Sequence, residues 1–166
     1  MLEPWASAAV LVDAEQIAGF ACDRDSVTEW LHTKALLARP NVATRLYLDQ
    51  AGAVIGFAAS TQVVVDIEDG TSAQRAGSRE GRSVGYLLAQ MAVRSGLSGQ
   101  GIGSAIVRDV MMSAARAHTE SPFPLFVVDA ADETLIDFYT EKGLRRLSNQ
   151  LRLATPMRRI IELLGA

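Results

Sequence analysis

A chain of 166 residues, 49% apolar and 21% charged, is long enough to bury one sizeable core and too apolar for a disordered tail. No apolar run reaches the roughly 18 residues of a membrane span, and the opening Met1-Leu2-Glu3-Pro4-Trp5 lacks the basic and apolar regions of a signal peptide. The net charge of −3 is uneven: residues 1–74 carry 4 Lys/Arg against 10 Asp/Glu, and residues 75–166 carry 12 against 9. The basic half holds the pairs Arg145-Arg146 and Arg158-Arg159, which read either as phosphate contacts or as solvated surface. One cysteine, Cys22, excludes an internal disulfide framework and suits a reducing cytoplasm. His32 and His118 lie far apart and make no metal motif. One domain over residues 1–166 is expected.

In chain order, residues 1–20 read as an opening strand or loop, then a short helix begun by Asp13. Residues 25–38 read as a helix with Asp25 or Ser26 as cap and Glu29 three residues after Ser26, as in a capping box. Val27, Trp30, Leu31, the Lys34 stem and Leu37 share one face, with Trp30 as a core anchor, and Pro40 ends the segment. Residues 43–49 alternate as a strand, Ala51-Gly52 turns, and 54–65 return as its antiparallel partner. The polar, glycine-rich residues 66–82 read as a loop, functional or disordered, with disorder favoured.

Val84 to Val93 is an almost unbroken apolar run, the pattern of a strand buried on both faces. It enters a turn with glycines at 96, 99, 101 and 103. Beyond it Ile102, Ile106, Val110, Met111 and Ala114 repeat at helical spacing, and Met111 and Met112 read as packing. A glycine turn feeding a helix N-terminus is a ready anion site. G-x-G-x-G deep in the chain is not the dinucleotide fingerprint, and with no nearby Lys it is not a Walker loop. A plain strand-to-helix connection is the alternative. Pro122 and Pro124 break the chain, and Leu125–Val128 is a short buried strand. Asp132–Lys142 is a helix stopped by Gly143, with Leu135, Phe138 and Tyr139 on its inner face. Residues 144–164 read as further strand with an irregularity at Pro156. This order gives a mixed α/β sheet with helices on both faces.

The strand, the G-x-G-x-G turn and the helix together resemble motif A of the GNAT family of N-acetyltransferases. Leu135-Ile136-Asp137-Phe138-Tyr139-Thr140-Glu141-Lys142-Gly143-Leu144 resembles the family's motif B, with Leu135 and Leu144 in place of the usual Ala and Phe. The resemblance spans roughly residues 15–165. It implies the family's mostly antiparallel twisted sheet and an acetyl-CoA-dependent transfer to an amine. It further implies that Met91, Ala92 and Val93 offer backbone groups to the pantetheine arm and thioester oxygen. Ser98, Gly99, Gln100, Gly101, Ile102, Gly103 and Ser104 would hold the pyrophosphate through the main chain. Serine at 98 is shorter than the family's usual Gln or Arg. Phe138 reads as packing that touches the CoA arm. Tyr139 would be the acid that protonates the departing thiolate: a phenol with a pKa near about 10 keeps its proton at neutral pH, where a thiol of about 8.5 is a fair leaving group. A buried aromatic with a satisfied hydroxyl is its plain alternative.

A narrower resemblance concerns the acceptor. Phe20-Ala21-Cys22 through Trp30-Leu31, Leu88 to Val93, Ser98 to Asp109 and the tail Ala154-Thr155-Pro156-Met157 are similar to segments of the GNAT toxins of type II toxin–antitoxin pairs. Val27 and Gln90 replace the family's Leu and Arg. That resemblance implies acetylation of the α-amine of an aminoacyl-tRNA, a block on translation, a small ribbon-helix-helix antitoxin as partner, and often a homodimer, with no membrane. The acidic pI of 5.4 pulls against a tRNA ligand. A housekeeping transferase for a small-molecule or protein amine, and a non-catalytic acyl-CoA-binding domain, are the other readings.

Overall fold

Short punctuation between apolar runs sets the elements. In this computed structural model residues 3–165 are described, and the ends of the expected 1–166 domain, residues 1, 2 and 166, lie outside them. Among the described residues seven strands, β1 (Ser7–Val10), β2 (Ala43–Leu48), β3 (Val54–Asp66), β4 (Arg82–Val93), β5 (Leu125–Asp129), β6 (Arg145–Arg146) and β7 (Arg152–Pro156), follow the order β1-β2-β3-β4-β5-β7-β6. Contacts group the chain into two compact units, Met1–Thr61 with Gln90–Asp109, and Gln62–Ala89 with Val110–Ala166.

In the first unit, β1 (Ser7–Val10) pairs antiparallel with β2 (Ala43–Leu48), and β2 with β3 from Ala43↔Ser60 to Leu48↔Val54. The β2–β3 turn closes on Asp49, whose Oδ1 accepts from the amides of Ala51 and Ala53 at 2.9 Å each, while Gly52 takes φ +83°. A single 3₁₀ turn, Ala14–Ile17, starts on a capping box in which Asp13 accepts from the Glu15 amide and Gln16 reaches back. Helix α1 (Asp25–Thr33) turns Val27 and Leu31 inward. The core here gathers Leu11, Ile17, Phe20, Leu31, Leu46 and Phe57, all nearly solvent-free, with Trp30 half-buried and stacked on Phe57 at 6.3 Å.

Helix α3 (Ile102–Glu120) enters this unit through a missing side chain. A Cβ at Gly56 would stand 2.7 Å from Ile106 Cδ1 and 2.9 Å from the Ala92 carbonyl oxygen, so only glycine lets helix and strand close on β3 here. The helix is also tied to β2. The buried Tyr47 hydroxyl donates to Asp109 Oδ2 at 2.7 Å, and Arg45 Nε meets the same oxygen at 3.0 Å. Burial first, and then the Asp109 carboxylate, raise the Tyr47 phenol pKa well above its ordinary value, so this phenol stays protonated.

In the second unit, β4 and β5 (Leu125–Asp129) run parallel from Gly85↔Leu125 to Leu88↔Val128, the pairing that a helical crossover permits. Strand β7 (Arg152–Pro156) lies antiparallel to β5, and β6 (Arg145–Arg146) antiparallel to β7. Val65, Ile67, Leu87, Leu125, Val127, Leu147 and Ala154 form the core. Among the described residues no helix is long and apolar enough to cross a membrane.

Several expectations change. Neither Asp25 nor Ser26 caps α1: Arg24 holds that position without a side-chain bond, the helix stops at Thr33, and Leu37 is 83% exposed, so the apolar face ends a turn earlier than its spacing suggests. Residues 66–82 are structured. Thr71 caps helix α2 (Ser72–Arg75), and buried Gln74 donates through Nε2 to the Arg145 and Ala154 carbonyls at 3.2 and 3.1 Å. The opening half of β4 alternates rather than burying both faces, and Val84 is 43% exposed. Met111 packs in the core but Met112 is 41% exposed. The 132–142 helix is broken into a 3₁₀ turn, Glu133–Leu135, and α4 (Ile136–Thr140). The tail beyond β7 is helix α5 (Met157–Leu163), not strand.

Gly56→Ala should lower unfolding stability by about 1–3 kcal/mol, because the new methyl meets backbone as well as side chain. Gly19→Ala, where a Cβ meets nothing within 4 Å, should leave the denaturant midpoint unchanged or raise it. Equal midpoints for the parent and the Gly56 variant would refute the packing account.

Candidate functional site

The end of β4 is held from the N-terminal side. Cys22 and Arg94 form an isolated antiparallel bridge, Ser95 N donates to the Ala21 carbonyl at 2.9 Å, and Arg94 N donates to Ile55 O at 2.8 Å. Thr28 Oγ1 accepts from the Cys22 amide at 3.0 Å, and His32 Nε2 lies 2.7 Å from the Phe20 carbonyl, which anchors residues 20–22 on α1. The strand therefore delivers Met91, Ala92 and Val93 to a fixed exit. Ala92 is buried, and Met91 and Val93 are half-buried.

After Leu97 N closes a turn on Arg94 O at 3.1 Å, residues Ser98 to Gly101 run over the surface. Gly99 and Gly101 take φ +79° and +80°, a left-handed backbone that other residues adopt at a cost. A Cβ built at either position meets no heavy atom within 4 Å, so the space above the turn is open. The first bond of α3 runs from Ala105 N to Gly101 O at 3.1 Å. The amides of Ile102 and Gly103 precede it and have no acceptor inside the helix, at the end that carries the positive pole of the macrodipole. Ile102 sends its side chain into the core, 5% exposed, so only its main chain can serve a ligand. Ser98, Gln100 and Ser104 are exposed, and Gly103 is half-buried. An open, left-handed turn ahead of outward amides can take a diphosphate without displacing any side chain.

In the second unit, α4 presents Phe138 and Tyr139. Tyr139 is 2% exposed, and its ring meets Phe138 edge-on at 5.0 Å. Its carbonyl accepts from the amides of Lys142 and Leu144, and Gly143 leaves the helix at φ +97°. The Lys142 ammonium sits 3.8 Å above the Phe138 ring centroid. Burial lowers the Lys142 pKa, and Glu141 acts in the opposite direction. No sequence signal marks this cation, because its ring partner lies one turn back on a helix too short to show periodicity.

The basic half is partly spoken for. Arg146 forms a two-pronged pair with Glu133, and Arg152 pairs with Asp129 at 2.7 and 3.0 Å. Hydrogen bonding to Arg146 lowers the Glu133 pKa. Arg145, Arg158 and Arg159 make no ion pair among the described residues. Nor, among those residues, do three or more His, Cys, Asp or Glu gather as metal ligands.

Gly101→Ala should cost about 1–2 kcal/mol from the left-handed backbone alone, read as a lower denaturant midpoint. An unchanged midpoint would mean the turn is not held as described.

No known family model matches the chain, and no curated protein matches it in sequence. Solved structures do match. A mutant of KacT superposes with a TM-score of 0.80 at 17% identity, covering 94% of this chain and 98% of that one. AtaT complexed with acetyl-methionyl-tRNAfMet gives 0.79 at 17%, covering 96% and 100%. AtaTR bound with AcCoA gives 0.79 at 19%, covering 96% and 98%. What the chain shares with them at this identity is the fold, here a mixed α/β, mostly antiparallel sheet with helices.

Proposed function

We propose that residues 1–166 form a single acetyltransferase domain that moves acetyl from acetyl-CoA to the α-amine of an aminoacyl-tRNA in the cytoplasm, and so blocks translation as a toxin. A small ribbon-helix-helix antitoxin would restrain it, and a homodimer would be its resting assembly. The observation that carries this reading is the open left-handed turn at Gly99 and Gly101 opening α3, in a chain with the fold of AtaT. AtaT has been solved with acetyl-CoA and the C-terminus of its antitoxin AtaR, and with acetyl-methionyl-tRNAfMet. Both KacT and AtaT have also been solved as tyrosine-to-phenylalanine mutants, which fits a tyrosine at the centre of the chemistry.

Acetyl-CoA supplies an activated acyl group as a thioester. In this proposal the main-chain amides from Gly99 to Ser104, with Ser98 at the start of the turn, bind its pyrophosphate, where helix polarity favours negative charge. The backbone of Met91, Ala92 and Val93 orients the pantetheine and offers an N–H to the carbonyl oxygen as charge develops there. Phe138 packs against the arm. Tyr139, buried on α4, donates its proton toward the sulfur as the C–S bond breaks. The attacking amine must be neutral and loses a proton once the amide forms.

Labelled acetyl-CoA with a pool of charged tRNA should yield N-acetyl-aminoacyl-tRNA, while free amino acids and polyamines stay unlabelled. Label on the small amines alone would move the acceptor to the housekeeping class. Tyr139→Phe should lower kcat by about 10²-fold or more with acetyl-CoA affinity nearly unchanged; parent-like turnover would remove Tyr139 from the chemistry. Gly101→Asp should abolish calorimetric binding of CoA by setting a carboxylate where phosphate would lie, and undiminished affinity would move the cofactor elsewhere.

A further inference from the structure

The second unit holds a cavity of about 460 Å³ that none of the residues assigned to acetyl transfer lines. Its volume falls within the range of small-molecule sites, about 300–1,000 Å³. Ala73, Ala76, Phe123, Pro124, Met157 and Ile161 make the wall mostly carbon. The wall is built closely: a Cβ at Gly77 would stand 2.6 Å from Pro124 Cβ, so the segment after α2 rests directly on the proline.

Two nitrogen groups interrupt the carbon. His118, at the end of α3, accepts the Phe123 N–H through Nδ1 at 3.2 Å. An accepting Nδ1 is unprotonated, so in the neutral ring the proton sits on Nε2, which then acts as a donor. No partner to Nε2 occurs among the described residues. The ring is fixed edge-on to Phe123 at 5.2 Å. Arg158, on the first turn of α5, lines the same cavity and makes no ion pair among the described residues. The remaining polar side chain, Gln74, already spends its amide on the Arg145 and Ala154 carbonyls and on the Thr71 amide.

From this geometry we infer that the cavity binds a small carboxylate with an apolar, aromatic or branched body. The guanidinium fork takes the carboxylate oxygens, His118 Nε2–H adds a second donor, and the body lies among the prolines, Phe123 and Met157. A cation would meet Arg158 and no lining carboxylate. A phosphate would press surplus oxygens against carbon, which burial penalises. Nothing in this site depends on the acetyl-transfer reading.

The test titrates the full chain with phenylbutyrate, phenylbutylamine and phenylbutanol, followed by amide shifts in NMR. Phenylbutyrate should bind and shift the amides of Phe123 and Arg158. Phenylbutanol should bind about tenfold more weakly, the size of a charge-assisted hydrogen bond, and the amine should not bind. Arg158→Gln should weaken the acid about tenfold. Ala76→Trp, at an exposed position on the cavity wall, should abolish binding while thermal melting stays that of the parent. Absence of phenylbutyrate binding, equal affinity for acid and amine, or parent-like affinity in the Arg158 variant would each overturn the assignment.

Discussion

The first unit depends on one absent side chain. With no Cβ at Gly56, Ile106 and the Ala92 carbonyl both close onto β3. Helix α3 is therefore seated by its first turns, and the orientation of its N-terminal amides is set by packing rather than by the exposed turn before it. The buried Tyr47–Asp109 hydrogen bond, with the exposed Arg45 on the same carboxylate oxygen, acts about one turn beyond Ile106 on the same helix. A carboxylate there would be costly to bury alone; a phenol donor and a guanidinium make it a directional tie between β2 and α3. A flexible glycine turn between strand and helix can stay open because both of its ends are fixed: Arg94 and Ser95 by the N-terminal segment, Ile102 and Ile106 by the core.

That division of labour explains how glycine can be used so freely over 96–103. Its entropic cost is borne by the packed flanks, and what it provides is main chain unobstructed by side chains. The same logic holds at α4. The helix is one and a half turns long, too short to be stable by its own hydrogen bonds. It is fixed by burial of Tyr139 and Leu144 at 2% and 1% exposure, by the Gly143 exit, and by Lys142 over Phe138. A ring held this way has one position, which is what the proposed proton donor requires.

Features carried by local patterns were legible in the sequence. The β2–β3 hairpin follows from alternation and an Ala-Gly turn, α3 from its apolar spacing, and the glycine turn from residue type alone. Features made by distant partners were not. Tyr47 and Asp109 lie 62 positions apart, and nothing local marks either one. Residues 66–82 are polar enough to suggest a floppy loop, yet Gln74 makes its bonds 71 and 80 positions away, on β6 and β7. The tail misled for a different reason. Pro156 ends β7 and also stands at the N-cap of α5, and a proline there suits a helix start as well as a strand irregularity. For the glycine turn, the backbone angles and open space fit the diphosphate role drawn from the resemblance, and ligand binding is what decides it.

The three tyrosines can be weighed against one another as proton donors. Tyr47 is buried, but its proton is committed to Asp109, and the carboxylate that receives it opposes formation of phenolate. An acid must surrender its proton to a departing thiolate, and a negative neighbour works against that transfer. Tyr86 lies in β4, stacked on Phe123 at 6.0 Å and on Phe126 at 6.4 Å, so its ring belongs to an aromatic layer. Tyr139 is buried on α4, where its ring meets Phe138 edge-on and Lys142 lies over the Phe138 ring. The carboxylate beside Tyr47 opposes proton release there, and the Phe-Tyr-x-x-x-Gly pattern makes Tyr139 the proposed donor.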